Sequence, residues 1–304
     1  MRLAAVAVCA ALPVALSHAA LPTPEHVSFP SLDVDASGKP VAISALYFRP
    51  PQVPAGTPVP LVIAAHGCGG MFSDSPKRPN DLSLRSISWT EMLLADGYAV
   101  MWPDSFNSRG RRSVCLVKRG EPSITPMTRR LDILGALAFA SAQPGIDRSH
   151  IALLGWSHGG STTLATVIGK DKAIADFYSA PGAPPPLRAA VALYPGCVVS
   201  LRQGANWLPS VPLEIHAAEL DDWTPPSACV KLGDAARTRD APMKVVVYPG
   251  AYHGFDGPDG KVRVWKEVTT GAIPDAGVHV GPDPAARAAA ESAIRSFLRT
   301  RLAN

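Results

Sequence analysis

The sequence predicts an α/β protein with a mostly parallel central sheet and helices on both of its faces. Three observations carry that reading. Short apolar runs bounded by Gly, Pro or Asp alternate with longer segments of helical spacing from residue 41 to residue 302. Several of the runs are apolar at successive positions, as strands covered on both faces are. The 31 prolines cluster in segments such as "RPPQVPAGTPVP" (49–60) and "APGAPPP" (180–186). Proline-dense segments can be neither helix interior nor central strand, so these mark surface connections.

In chain order, Met1-Arg2, the apolar "LAAVAVCAALPVAL" and the small residues of "SHAA" read as a signal peptide over residues 1–19, cleaved near Ala19 or Ala20. The run is shorter than the roughly 20 apolar residues of a membrane span, so no anchor is expected. The protein is expected to be exported, periplasmic or secreted, with residues 20–304 forming one domain. A chain of that length can bury roughly three quarters of its unfolded surface around one core. "VAISALYF" (41–48), after the turn-like "ASGKP", reads as a strand in a hairpin with 27–34. Further strands are expected at 61–67, 98–104, 151–156, 189–196, 213–219 and 243–250. Helical patterns separate them: "RSISWTEMLLADG" stops at Gly97, "TPMTRRLDILGALAFASAQPG" opens on a Thr cap, and "PAARAAAESAIRSFLRTRL" opens on Pro284.

The formal charge is +4, with Lys and Arg spread along the chain. The one tight basic group, "NSRGRRS" (107–113), reads as a solvated loop, and no nucleic-acid partner is expected. Export leaves Cys68, Cys115, Cys197 and Cys229, an even count that suggests two disulfides among three possible pairings. No CxxC or HExxH occurs, so neither a metal site nor a cofactor is expected.

The chemistry concentrates where strand patterns end. In "GWSHG" (155–159) a strand pattern gives way directly to a helix pattern, and glycines two residues either side of Ser157 make room for a sharp turn. A serine held at such a turn is a candidate nucleophile if a base can take its proton. His253, in a Gly-flanked loop after the last strand pattern, is the candidate base. His216 lies within an expected buried strand, and His279 in an irregular segment. The acid is expected at "DDWTPP", after a strand, with Asp221 orienting the histidine and Asp222 capping the following helix, although either could serve as the acid. Two backbone N–H groups are expected to receive a developing oxyanion, those of Cys68 in "HGCGG" (66–70) and of His158. His66 is expected to hold that loop. Met71, Phe72, Phe106, Trp223 and Tyr252, on loops beside the site, are candidates for a substrate pocket. Arg129 and Asp132 share a helix and are expected to pair. The segment 255–283 is longer than a simple connection and could cover the site.

Together "HGCGG", "WPDSFNSRG", "RRLDILGALAFA", "GWSHGG", "DDWTP" and "YHGFD" resemble the dienelactone hydrolase family, over residues from about 40 to 300. The resemblance implies an α/β-hydrolase fold, a triad of Ser157, Asp221 and His253, and hydrolysis of a carboxylic ester or lactone without cofactor or metal. The substrate would be a small or oligomeric ester. The hydrolases that gave the family its name use a cysteine nucleophile, so the serine here makes the resemblance one to the broad family. The resemblance also favours pairing Cys68 with Cys115 and Cys197 with Cys229, because each pair would follow neighbouring strand ends. Cys68 would then brace the oxyanion loop. A peptidase on the same fold and a non-catalytic binding protein are the alternative readings.

Overall fold

Alternate residues of the segment Val59–Ala65 enter two different cores. Leu61, Ile63 and Ala65 face one side, Val62 and Ala64 the other, and all five are buried. Period-two alternation with both faces apolar requires a strand covered on both sides. The computed structural model describes residues 21–303 apart from 119, 122 and 274, and it contains such a sheet. The expected signal peptide lies outside the described residues.

Eight strands form the sheet: β1 (Glu25–Val34), β2 (Pro40–Phe48), β3 (Val59–Ala65), β4 (Ala99–Pro103), β5 (Ile146–Trp156), β6 (Ala189–Leu193), β7 (Leu213–Ala218) and β8 (Met243–Tyr248). Their spatial order is β1-β2-β4-β3-β5-β6-β7-β8. β1 and β2 form the expected antiparallel hairpin, β2 is antiparallel to β4, and the remaining pairs are parallel.

Helices α1 (Leu84–Ala95) and α7 (Pro284–Leu302) cover one face through Leu93, Ala290, Ile294 and Leu298, packed with Val100, Ala152 and Leu154 of the sheet. On the other face lie α2 (Pro126–Ser141), α3 (His158–Thr166) and α6 (Ser227–Arg237), with Ile133, Leu137, Leu164 and Leu232 against Ile63, Leu153 and Ile215. Fully burying one such side chain contributes about 1.5–3 kcal/mol. Three of these five helices start where the sequence supplies a cap. The side chains of Ser83, Thr125 and Asp283 accept hydrogen bonds from the first-turn N–H groups of α1, α2 and α7.

Two short helices, α4 (Lys172–Ser179) and α5 (Val198–Arg202), decorate the connections. The long excursion before α7 contains a two-stranded hairpin, β9 (Arg263–Trp265) and β10 (Val278–Val280). Strands of three residues carry no readable period, which is why this segment looks irregular in the sequence. In an open parallel sheet, ligands bind outside the carboxyl ends of the strands. Ser157, Tyr194, Asp221 and His253 all follow such ends, on β5, β6, β7 and β8 in turn.

Candidate active site

The turn after β5 explains the glycines around it. Ser157 has φ 52° and ψ −115°, a region that non-glycine residues rarely occupy and that costs on the order of 1–3 kcal/mol. Its N–H donates to the Leu193 carbonyl at 2.9 Å, which ties the turn to β6. A Cβ at Gly159 would overlap the Ala65 carbonyl oxygen, and one at Gly155 would overlap the Gly159 carbonyl and Thr163 Oγ1. The chain can pack α3 against β3 and make this turn only with hydrogen at both positions.

The turn points the serine hydroxyl at His253. Ser157 Oγ lies 2.9 Å from His253 Nε2, and His253 Nδ1 lies 2.8 Å from Asp221 Oδ2. With the carboxylate accepting from Nδ1–H, Nε2 carries the lone pair and accepts from the serine hydroxyl. His253 and Asp221 are each 4% exposed, so water competes little for either contact. Asp221 is fixed in turn: its Oδ1 accepts from the N–H groups of Trp223 and Thr224 at 2.9 and 2.8 Å, and its Oδ2 lies 2.8 Å from Thr224 Oγ1. The Thr224 hydroxyl also reaches the Tyr194 carbonyl at 3.0 Å. Tyr194 itself has φ 36° and sets its ring edge-on to His253, with centroids 4.6 Å apart.

Beneath these residues sits a buried carboxylate. Asp256 accepts from Tyr194 Oη at 2.6 Å, Trp89 Nε1 at 2.7 Å and Arg85 Nε at 3.1 Å. Three donors to one carboxylate lock the tyrosine ring under the imidazole.

The loop at residues 66–70 runs along Ser157. A Cβ at Gly67 would sit 3.6 Å from the Trp156 carbonyl oxygen and 3.8 Å from Ser157 Cβ. His66 is buried, its Nδ1 2.9 Å from the Gly67 carbonyl. Burial, with the Arg129 charge adding to it, holds its pKa well below the usual histidine value. A Cys68–Cys115 disulfide ties the loop to the segment after β4, and a second bond joins Cys197, after β6, to Cys229 in the first turn of α6. Both pairings are those the family resemblance favours.

His158 opens α3 and turns its side chain away from the serine. Arg129 Nη1 donates to its Nδ1 at 2.9 Å. Burial, then the charge of Arg129, pushes the His158 pKa down to about 3, so this ring is neutral. The Arg129 guanidinium is itself buried over the Phe106 ring, 4.8 Å from its centroid. Burial lowers its pKa to about 9, against the raising effect of Asp132 and Asp104, and it stays charged at neutral pH. The expected Arg129–Asp132 pair is not formed: Asp132 instead accepts from Arg109, at 2.8 Å, and from Ser31, at 2.7 Å. Both residues lie on α2 but project to different neighbours.

A cavity of about 620 Å³ opens on Ser157 and His253 and is lined in part by Cys68, Phe72, Trp223 and Trp265. Three residues expected to line it do not. Met71 is 2% exposed and packs in the core beside α1, and Phe106 is fully buried between Arg129 and the rings of His66 and His158. Tyr252 stacks on His279, with centroids 5.0 Å apart. All three follow strand ends, but a loop position does not say which way a side chain points. Asp222 does not cap α6, whose cap position, Pro226, makes no side-chain bond. It binds His279 instead, at 2.7 Å through Oδ2.

Sequence reasoning missed Thr224, Tyr194, Arg85, Asp256 and His279. For Thr224 a signal existed: a Thr three residues after an Asp at a strand end is a common turn pattern in which the Asp side chain gathers the following N–H groups. The other four meet the site only through tertiary contacts. Among the described residues, no cluster of His, Cys, Asp and Glu is arranged to hold a metal, and no helix is long and apolar enough to cross a membrane.

A model of the dienelactone hydrolase family matches residues 43–301. No curated protein matches the sequence. Among solved structures, a Klebsiella pneumoniae protein proposed to be a dienelactone hydrolase is 16% identical, covers 90% of this chain and 97% of its own, and superposes with a TM-score of 0.60. Esterase 2 of Thermogutta terrifontis with propionate bound is 15% identical over 94% of this chain and 98% of its own, with a TM-score of 0.57. Dipeptidyl peptidase 4 of Porphyromonas gingivalis is 16% identical over 92% of this chain but only 35% of its own, with a TM-score of 0.56. Likeness at this level of identity concerns the fold.

Proposed function

The chain belongs to the dienelactone hydrolase family, and from that membership and the site geometry we propose that it is an exported serine hydrolase of carboxylic esters or lactones. The observation that carries the reading is the continuous line from Ser157 Oγ through the His253 ring to Asp221, with contacts of 2.9 and 2.8 Å. Ser157 Oγ attacks the ester carbonyl carbon while His253 Nε2 takes its proton. The carbonyl oxygen becomes an oxyanion, received by the N–H groups of Cys68 and His158, each donor contributing about 3–4 kcal/mol. The bond to the alcohol oxygen then breaks, and His253 returns the proton to the leaving alcohol. Water, deprotonated by His253, attacks the acyl-serine and releases the acid. Asp221 holds the imidazole in the required tautomer and stabilises the imidazolium in both halves of the cycle. Two disulfides are compatible with export to an oxidising compartment.

The test is hydrolysis of p-nitrophenyl acetate, butyrate and octanoate by the wild type and by Ser157→Ala. The wild type is expected to turn over, and the variant to lose about 10³-fold or more in kcat. Equal, substantial rates in the two proteins would overturn the proposal.

A further inference from the structure

Asp222 is a carboxylate after β7 that the reaction leaves unused, and its partners lie outside the reacting line. Its Oδ2 lies 2.7 Å from His279 Nδ1, its Oδ1 accepts from the His279 N–H at 2.8 Å, and its carbonyl accepts from the Ala272 N–H at 2.7 Å. These three contacts fasten the middle of the turn-rich segment between β9 and β10, and β10 itself, to the loop that carries Asp221. A second attachment reaches the other loop: the Gly281 N–H donates to the His253 carbonyl at 3.0 Å, and Val280 bridges to His253. The excursion is therefore anchored on the two loops that carry Asp221 and His253.

What it brings there is Trp265. This indole lines the cavity and stands edge-on to Trp223 at 5.7 Å and 85°. Trp223 in turn packs on the His253 ring at 4.8 Å and donates from Nε1 to Thr270 Oγ1, again within the excursion, at 3.3 Å. Both tryptophans are partly exposed, and Phe72 faces the same space from the oxyanion loop. Charge offers no comparable handle. Lys261 and Arg263 on this wall are matched in number by Asp74 and Asp259, and Arg85 is spent on Asp256. The volume, about 620 Å³, far exceeds an acetyl group and falls within the range of sites that enclose ring-sized ligands. Aromatic rings gain beyond simple burial when they meet other rings edge-on or offset.

Resting on the ester-hydrolase reading, we infer that the preferred substrates carry an aromatic ring, that Trp265 is the specificity-determining residue that receives it, and that the Asp222–His279 pair is the clasp that holds Trp265 in position. Asp222 and His279 are positioning residues; neither touches the ester.

The experiment compares kcat/KM for phenyl acetate, ethyl benzoate and ethyl acetate in the wild type, Trp265→Ala, Trp265→Phe and His279→Ala. The quantity read is the ratio of each ring ester to ethyl acetate, which cancels any general loss of active protein. Trp265→Ala is expected to lower the ratio for at least one ring ester about tenfold, mainly through KM. Trp265→Phe should recover most of it, and His279→Ala should shift the same ratio in the same direction. A ratio within twofold of wild type in Trp265→Ala overturns the inference, as does a shift that Phe fails to recover. Where Trp265→Ala does not yield folded protein, Trp265→Leu reads the same ratio. If the wild type hydrolyses none of the three, the ester reading has failed, and the aromatic corner is then read by NMR titration of phenyl acetate and ethyl acetate into Ser157→Ala. Preferential binding of the ring ester that Trp265→Leu abolishes sustains the inference; equal binding overturns it.

Discussion

The Thr224 hydroxyl has one proton and two oxygen neighbours, Asp221 Oδ2 at 2.8 Å and the Tyr194 carbonyl at 3.0 Å. Either bond stiffens the acid loop against the end of β6. Thr224→Val keeps the shape and deletes both contacts. We expect a fall of about tenfold in kcat with KM little changed, since a hydrogen bond to a charged group contributes about 1.5–3 kcal/mol and only part of that is specific to the transition state. Steady-state kinetics of the variant, with a thermal melt to verify folding, checks this. Gly159→Ala is a harsher change: the added methyl would overlap the Ala65 carbonyl, and neither β3 nor α3 can retreat without opening the sheet. Loss of soluble, folded protein is expected, read by circular dichroism after expression. At this scale the sequence was informative where chemistry is tied to strand ends. Ser157, Asp221 and His253 could be picked out because each directly follows an apolar run. Met71 and Phe106 follow such runs too, yet they point into the interior, and nothing in a loop's composition records that rotation. His279 sits in a segment without a readable strand, and its partner, Asp222, is 57 residues away, so the sequence carries no sign of the pair.

Among the elements, the strands were read most easily and the excursion least. β3, β4 and β6 announce themselves as apolar runs between breaks, because burial on both faces leaves no polar position to blur them. The antiparallel β1–β2 hairpin was legible from "ASGKP" alone. β9 and β10 have three residues each, and their reason for existing is the Asp222 clasp, not a period. The disulfides act at this scale as well. Each closes a loop, of 47 residues for Cys68–Cys115 and 32 for Cys197–Cys229, and chain-entropy arguments give about 4 kcal/mol for either. Cys197→Ser/Cys229→Ser should therefore lower the unfolding free energy by a few kcal/mol, measured by urea denaturation, while leaving the proposed hydrolysis of p-nitrophenyl esters largely in place. Cys68→Ser/Cys115→Ser should cost similar stability and additionally lower kcat, because Cys68 belongs to the loop that runs along Ser157. Equal activities in the two double variants would contradict the role given to that loop.

For the whole molecule, three buried histidines set the response to acid. Burial lowers the pKa of His66, His158 and His216, with the Arg129 charge adding to the effect at the first two. In the unfolded chain all three titrate near 6.5. Below that pH the unfolded state takes up protons that the folded state refuses, so their contribution to stability is intact above about pH 6.5 and is lost as the pH falls. Each histidine can contribute a slope of up to about 1.4 kcal/mol per pH unit. The urea midpoint should therefore drop steeply between pH 6.5 and 5; a flat profile over that interval would mean that these rings carry protons when folded. The sequence marks His66 and His216 as structural, but not His158, because its acid sensitivity comes first from tertiary burial and then from Arg129 on a different helix. The two cross-links have a wider consequence. They staple the rim of the sheet on either side of β5, one bond to each flank, so assembly of the rim and oxidation of the chain become a single event. In a reducing cytosol the newly made chain would be able to build its sheet but would keep a slack, poorly active rim. Crossing into an oxidising compartment would then do more than relocate the proposed hydrolase: it would close the two bonds that hold the rim around Ser157.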